Sequence, residues 1–179
     1  MSPITCDVAV VGAGNAALCA ALAAREGGAD VVVLERAPED ERGGNSTFTG
    51  GAIRVAYDGV DDLKDLFEIS DTEERNTDFG TYTAADFFDD LARVTQYRTD
   101  PVLAELLADD SLETLKWMRA KGVRFGPMYS RQAFKVDGRF KFWGGLTVEA
   151  IGGGPGLVEA LFAAAEKAGI RILYQARAT

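Results

Sequence analysis

The sequence predicts an α/β fold with a parallel sheet at its centre. Three observations carry that prediction. An apolar run, Asp7 to Val11, ends on Gly12 and leads at once into an Ala/Leu-rich stretch. A second apolar run, Val31 to Glu35, follows the Gly27-Gly28 stop. Near the end of the chain an amphipathic stretch around Leu157 to Ala165 precedes a further strand, Ile170 to Ala176. Two buried strands joined by a helical crossover run parallel, because no tight turn can return the chain in the same direction.

The elements follow in order. Asn15 to Glu26 reads as the crossover helix. Arg36 to Gly51 is a long polar stretch rich in Gly, Asn, Ser and Thr, a loop of functional length. Val60 to Ile69 reads as a short helix and Ser70 to Phe79 as an acidic loop. Thr83 to Gln96 is a helix with Phe87, Phe88, Leu91 and Val94 on its core face. Asp100-Pro101 opens another, whose Val102, Leu103, Leu106 and Leu107 form an apolar stripe expected to pack inward. Ser111 is placed as the cap of a further helical turn carrying Leu112, Leu115 and Met118, stopped by Gly122. Ala133 to Val136 and Arg139 to Trp143 flank Asp137-Gly138, a two-residue hairpin signal. Gly152 to Gly156 is a tight backbone segment before the last helix, which Gly169 ends.

Composition narrows the function. A chain of 179 residues with 47% hydrophobic residues is one domain, or one and a fraction, with a real core. A net charge of −9 with no basic stripe argues against nucleic acid and against anionic membrane surfaces. The N-terminal residues lack a basic region and lead straight into a strand, and no apolar stretch approaches the roughly 18 residues of a membrane span, so a cytoplasmic protein is expected. Cys6 and Cys19 read as small buried residues of a reducing compartment. The chain contains no histidine, which removes Ser-His and Cys-His nucleophiles and His-based metal sites; no metal is expected. Arg54, Arg131 and Arg139 read as solvated charge rather than as carboxylate ligands.

Chemistry concentrates at Gly12-Ala13-Gly14-Asn15-Ala16-Ala17, a G-x-G-x-x-A turn between strand and helix. Gly12 permits the tight turn, Gly14 lets a pyrophosphate approach the backbone, and Ala17 keeps helix and strand close. The free N–H groups and the positive helix end then face the phosphates. Glu35 ends the next strand about 20 residues on, where a carboxylate accepts ribose hydroxyls and repels a 2′-phosphate. An NAD domain would continue with helix and strand soon after Glu35. This chain instead presents Gly43-Gly44-Asn45-Ser46-Thr47-Phe48-Thr49-Gly50-Gly51, two glycine pairs around small polar donors, suited to holding a flat ring and a phosphate.

On these residues the chain resembles the N-terminal part of the fumarate reductase/succinate dehydrogenase-type flavoproteins. Within that group, Glu35-Arg36-Ala37-Pro38, Gly43 to Ser46, Ala56-Tyr57-Asp58-Gly59 and Phe142-Trp143-Gly144-Gly145 are most similar to the tricarballylate dehydrogenases. The resemblance runs from Asp7 to Thr179. It implies a Rossmann-like FAD-binding fold over residues 1–179: a βαβ unit and flavin loop over 1–51, a helical insertion over 52–125, and hairpin, helix and returning strand over 126–179. A cap domain and a C-terminal FAD-binding segment are expected to lie outside these residues, and with them the catalytic base and the substrate arginines, so that this stretch alone is expected not to turn over. The cofactor implied is non-covalent FAD, since the histidine that carries it in membrane-bound relatives has no counterpart here. Gly12, Gly14, Asn15, Ala16 and Ala17 would hold the pyrophosphate, and Glu35 the ribose with Arg36 beside it. Gly44, Asn45, Ser46, Thr49, Gly50 and Gly51 would lie along the flavin side, and Ala176 would face the adenine from the final strand. The implied reaction is dehydrogenation of a carbon–carbon bond next to carboxylates, tricarballylate to cis-aconitate, with fumarate, succinate or a ketosteroid as alternative substrates and an inert nucleotide-binding fragment as the non-enzyme reading. Expected partners are a small di- or tricarboxylate and an electron-transfer protein.

Overall fold

The computed structural model describes residues 3–179. In chain order the elements are β1 (Val8–Val11), α1 (Asn15–Glu26), β2 (Val31–Leu34), β3 (Ala52–Arg54), α2 (Val60–Lys64), α3 (Asp71–Asn76), β4 (Thr77–Asp78), α4 (Ala84–Val94), α5 (Pro101–Ala120), β5 (Phe125–Pro127), β6 (Ala133–Val136), β7 (Arg139–Phe142), β8 (Thr147–Ala150), α6 (Gly153–Lys167) and β9 (Arg171–Leu173). Short 3-10 turns lie at Glu39–Glu41 and Gly44–Phe48. These elements form two compact units. No helix among the described residues is long and apolar enough to cross a membrane.

The first unit comprises the described residues through Gly51, Lys121–Val123 and Ala150–Thr179. Its sheet has the order β1-β2-β9 and both pairings are parallel, with Val10 opposite Val33 and Val33 opposite Ile172. The central strand β2 buries Val31, Val32 and Val33, which is why its sequence is a continuous apolar run rather than an alternation. Helix α1 packs on β1 and β2, and α6 packs on α1, burying Leu18, Ala21 and Leu22 from one helix and Leu157, Leu161 and Phe162 from the other. This is the α/β fold with parallel sheet that the sequence predicts. The last strand stops at Leu173, earlier than expected: the chain turns at Gln175, where φ is +53°, so Ala176 lies beyond the strand. Cys6 and Cys19 are free and half-buried rather than fully buried; burial still pushes the Cys19 thiol up to about 11, a value that keeps it protonated and inert.

The second unit holds the two remaining three-stranded sheets, β3-β8-β5 and β4-β7-β6. The β6–β7 hairpin turns on Asp137 and Gly138 with φ of +50° and +81°, the left-handed pair that a two-residue turn requires. Trp143 falls outside β7 and is exposed. At the core, Tyr57 is fully buried, donates its hydroxyl to Phe79 C=O at 2.7 Å and accepts the Leu146 N–H at 2.8 Å. Tyr57→Phe strands both backbone groups, so a loss of about 1–3 kcal/mol is expected in a urea melt; an unchanged midpoint would mean the pair finds other partners.

Several expectations fail here, each for a visible reason. The acidic stretch after Ser70 is a helix, α3, because the Ser70 Oγ accepts the Glu73 N–H at 3.2 Å and caps it. Helix α2 ends at Lys64, since Leu66 and Phe67 both turn back to bond Leu63 C=O. Ser111 caps nothing: α5 runs unbroken, with the Ser111 hydroxyl donating to Ala108 C=O and accepting the Ala56 N–H. The buried stripe of α5 is Ala104, Ala108, Ser111, Leu115 and Met118, small residues at its start that permit close packing. Val102, Leu103, Leu106 and Leu107 are therefore exposed, as is Val94 on α4. Arg54 and Arg139 are not merely solvated: Arg54 donates to Gly144 C=O, Gly145 C=O and Gln132 Oε1, and Arg139 to Thr77 C=O.

Candidate functional site

The first strand delivers the chain into Gly12, whose φ of +93° is a left-handed value that suits glycine. Gly14 then caps α1 with φ of −82° and ψ of −176°, an extended conformation open to any residue. A Cβ built on Gly14 would meet Ser46 Oγ at 3.4 Å and Gly43 C=O at 3.5 Å, ordinary contacts. Neither backbone conformation nor protein packing therefore demands glycine at this position. A side chain here would start toward Ser46 and Gly43, beside the Asn15 N–H that opens the helix. The first turn of α1 carries no carboxylate and no side-chain cap. The N–H of Asn15 donates to Ser46 Oγ at 3.1 Å, while those of Ala16 and Ala17 meet no acceptor among the described residues. Unpaired N–H groups at the positive end of a helix are an arrangement that can receive an anion.

Glu35 stands directly after β2, only 8% exposed. Its Oε1 accepts the Ala37 N–H at 2.8 Å, and the side chain makes no ion pair among the described residues. A nearly buried carboxylate with one hydrogen bond and no cation retains acceptor capacity, which suits vicinal hydroxyls. Its backbone N–H donates to Leu173 C=O and its C=O accepts the Ala176 N–H, both at 2.8 Å. The structure thus sets Ala176 beside Glu35, with its N–H engaged, so that only its carbonyl remains to face a ligand. Arg36 is exposed.

The Gly43–Gly51 segment is tied down at several points. Within it, Gly44–Phe48 forms a 3-10 turn, and Thr49 Oγ1 donates to Ser46 C=O at 2.9 Å. Its far end packs backbone to backbone on the glycine run that opens α6. The Gly154 N–H donates to Thr49 C=O at 2.8 Å and the Ala150 N–H to Gly51 C=O at 2.9 Å. A Cβ on Gly154 would sit 2.2 Å from Ser46 C=O, and one on Gly51 would sit 2.8 Å from Gly153 carbonyl carbon. Ser46 then links this loop to the fingerprint through the Asn15 N–H. Gly44, Asn45, Thr49 and Gly50 are exposed.

Two participants escaped the sequence reading. One is the Gly152–Gly156 run, read as a tight turn but not as the seat of the loop. The other is Arg42. Its guanidinium lies 4.1 Å over the Phe162 ring and reaches Tyr174 Oη at 2.9 Å, Glu166 at 3.2 Å and Glu159 at 3.3 Å. Burial disfavours its charge, but the hydrogen bonds to Tyr174, Glu159 and Glu166 outweigh that and hold its pKa above the ordinary value. The available signal was an arginine next to the glycine pair and two glutamates seven residues apart on one face of α6.

The sequence model of the family described as "FAD binding domain" matches residues 7–179. The chain is 31% identical over 118 residues to a "Fumarate reductase (cytochrome)" of Shewanella frigidimarina, covering 66% of this chain and 18% of that protein. It is 30% identical over 156 residues to a "3-oxo-5-alpha-steroid 4-dehydrogenase" of Comamonas testosteroni, covering 86% and 26%. Among solved structures, the open conformation of a flavocytochrome c3 fumarate reductase superposes with a TM-score of 0.68 at 23% identity, over 95% of this chain and 26% of that one, a likeness in fold. The chain spans 18% to 26% of the length of these proteins.

Proposed function

We propose, for a chain that belongs to the FAD binding domain family, that it forms the FAD-holding part of an oxidoreductase acting on a carbon–carbon bond beside an electron-withdrawing group. The observation that carries the reading is Gly14: a glycine that neither backbone conformation nor packing requires, at the mouth of a helix whose Ala16 and Ala17 N–H groups meet no acceptor among the described residues. Such a glycine answers to something outside the protein, and a dinucleotide pyrophosphate fits.

Gly12, Gly14, Asn15, Ala16 and Ala17 would orient the pyrophosphate through backbone N–H groups, and Glu35 would take the adenosine ribose with Arg36 at its side. Gly44, Asn45, Ser46, Thr49, Gly50 and Gly51 would lie along the flavin, and the Ala176 carbonyl would face the adenine. When bound, FAD supplies the hydride acceptor or donor that side chains cannot provide. With no histidine in the chain, no histidyl bond to the flavin is available and FAD would be held non-covalently. Fumarate reductases and a 3-oxosteroid dehydrogenase among the relatives support chemistry next to a carboxylate or ketone. The likeness of the Glu35–Pro38, Gly43–Ser46 and Phe142–Gly145 stretches favours a small di- or tricarboxylate, tricarballylate foremost, with an electron-transfer protein as redox partner. Fumarate, succinate or a ketosteroid would suit the same cofactor half.

Glu35→Ala tests the cofactor assignment. It removes charge-assisted hydrogen bonds to the ribose, so FAD affinity should fall about 10- to 100-fold in a fluorescence titration. An unchanged affinity in the folded variant would remove Glu35 from the site.

A further inference from the structure

We infer that Arg42 is a positioning residue for the flavin half of the cofactor: its guanidinium latches the base of the Gly43–Gly51 loop onto α6 and onto the segment after β9. The inference rests on the FAD reading above and extends it to a residue that does not itself touch the ligand.

Arg42 acts at both of its ends. Its carbonyl accepts the Thr47 hydroxyl at 3.2 Å, closing the start of the 3-10 turn that carries Asn45 and Ser46. Its side chain crosses to Glu159 and Glu166 on α6 and to Tyr174, one residue past Leu173, whose carbonyl accepts the Glu35 N–H. The Arg42 side chain is 19% exposed but Glu159 and Glu166 are open to solvent, so the part-buried bond to Tyr174 and the Phe162 ring face hold the guanidinium alongside two screened ion pairs. Beside it the loop already touches α6: a Cβ on Gly43 would lie 2.6 Å from Val158 Cγ1.

The loop therefore has two anchors. Its far end rests on the backbone contacts of Gly51 and Thr49 with the α6 glycines, and these do not involve Arg42. Its near end rests on the Arg42 fork, whose planar donors reach three acceptors at once, an arrangement a lysine cannot reproduce. Loss of the fork frees the near end, Gly43 to Asn45, while Ser46 stays on the Asn15 N–H and against Gly154, and Gly12 to Ala17 and Glu35 remain in place. The flavin half should suffer more than the ADP half.

The test compares FAD and ADP binding to the full chain carrying Arg42→Ala or Arg42→Lys, with thermal melts and visible circular dichroism of bound flavin. Arg42→Ala should lose FAD affinity by about 10-fold or more and ADP affinity by less than about 3-fold, with altered flavin dichroism. Arg42→Lys should restore the melting temperature more fully than the FAD affinity. An unchanged ratio of FAD to ADP affinity in Arg42→Ala would overturn the inference, as would complete rescue of FAD binding by Arg42→Lys. Should Arg42→Ala fail to fold, Glu159→Gln combined with Glu166→Gln and Tyr174→Phe weakens the same fork from the other side, and parallel losses of both ligands there would count against it. Failure of the wild-type chain to bind either ligand would instead reject the FAD reading.

Discussion

Gly14→Val is expected to reduce FAD affinity by about 100-fold or more while leaving the chain folded. Valine is at ease at φ of −82° and ψ of −176°, since β-branched residues favour extended backbone. Its Cβ has room against Ser46 Oγ and Gly43 C=O. With FAD bound, its methyl groups would compete for the space in which the pyrophosphate approaches the backbone. The variant should therefore keep its far-ultraviolet dichroism and most of its melting temperature, and lose FAD and ADP together, since both carry the pyrophosphate. Retained FAD affinity would place the phosphates elsewhere. A collapse of the melt in parallel with binding would mean that the glycine serves packing after all.

Gly154→Ala is expected to damage both stability and flavin binding. The new methyl would lie 2.2 Å from Ser46 C=O, 2.7 Å from Thr49 C=O and 2.8 Å from Thr49 Oγ1. These are mainly backbone atoms that cannot rotate aside, so the whole loop must lift from α6. Overpacking of this kind costs about 1–3 kcal/mol, occasionally more. Lifting the loop also breaks the bond from the Gly154 N–H to Thr49 C=O and moves Ser46 away from the Asn15 N–H. FAD affinity should fall about 10- to 100-fold, and ADP affinity less. Wild-type values for both the melt and FAD binding would show that the seam is softer than its contacts imply.

The two glycines show how unevenly the site was legible. Gly14 could be placed from sequence because its neighbours in the chain explain it: an apolar strand before, a helix after, and Glu35 directly past the next strand. Gly154 could not, because its partners are Ser46 and Thr49, more than a hundred residues away. A glycine run before a helix announces close backbone approach without naming what approaches. The helices diverged in a similar way. Helix α6 was readable because its apolar residues are also its buried ones. In α5 the burial follows Ala104, Ala108 and Ser111, and the larger Leu103, Leu106 and Leu107 face outward. Hydrophobicity alone ranks those faces in the opposite order.

By itself the sequence determined the parallel βαβ start, the type of turn in the β6–β7 hairpin, the final helix and the position of the glycine turn between β1 and α1. All of these rest on interactions within a few tens of residues, where periodicity and turn chemistry are decisive. The tertiary structure alone decided that the Gly43–Gly51 loop sits on the first turn of α6, that Ser46 meets the Asn15 N–H, that Ala176 lies past its strand beside Glu35, and that Arg42 gathers Tyr174, Glu159 and Glu166. Those contacts join segments distant in sequence, and many pairings of glycines, hydroxyls and charges are compatible with the same composition. The packing of α6 against α1 selects one of them, because it fixes which backbone surface the loop can reach.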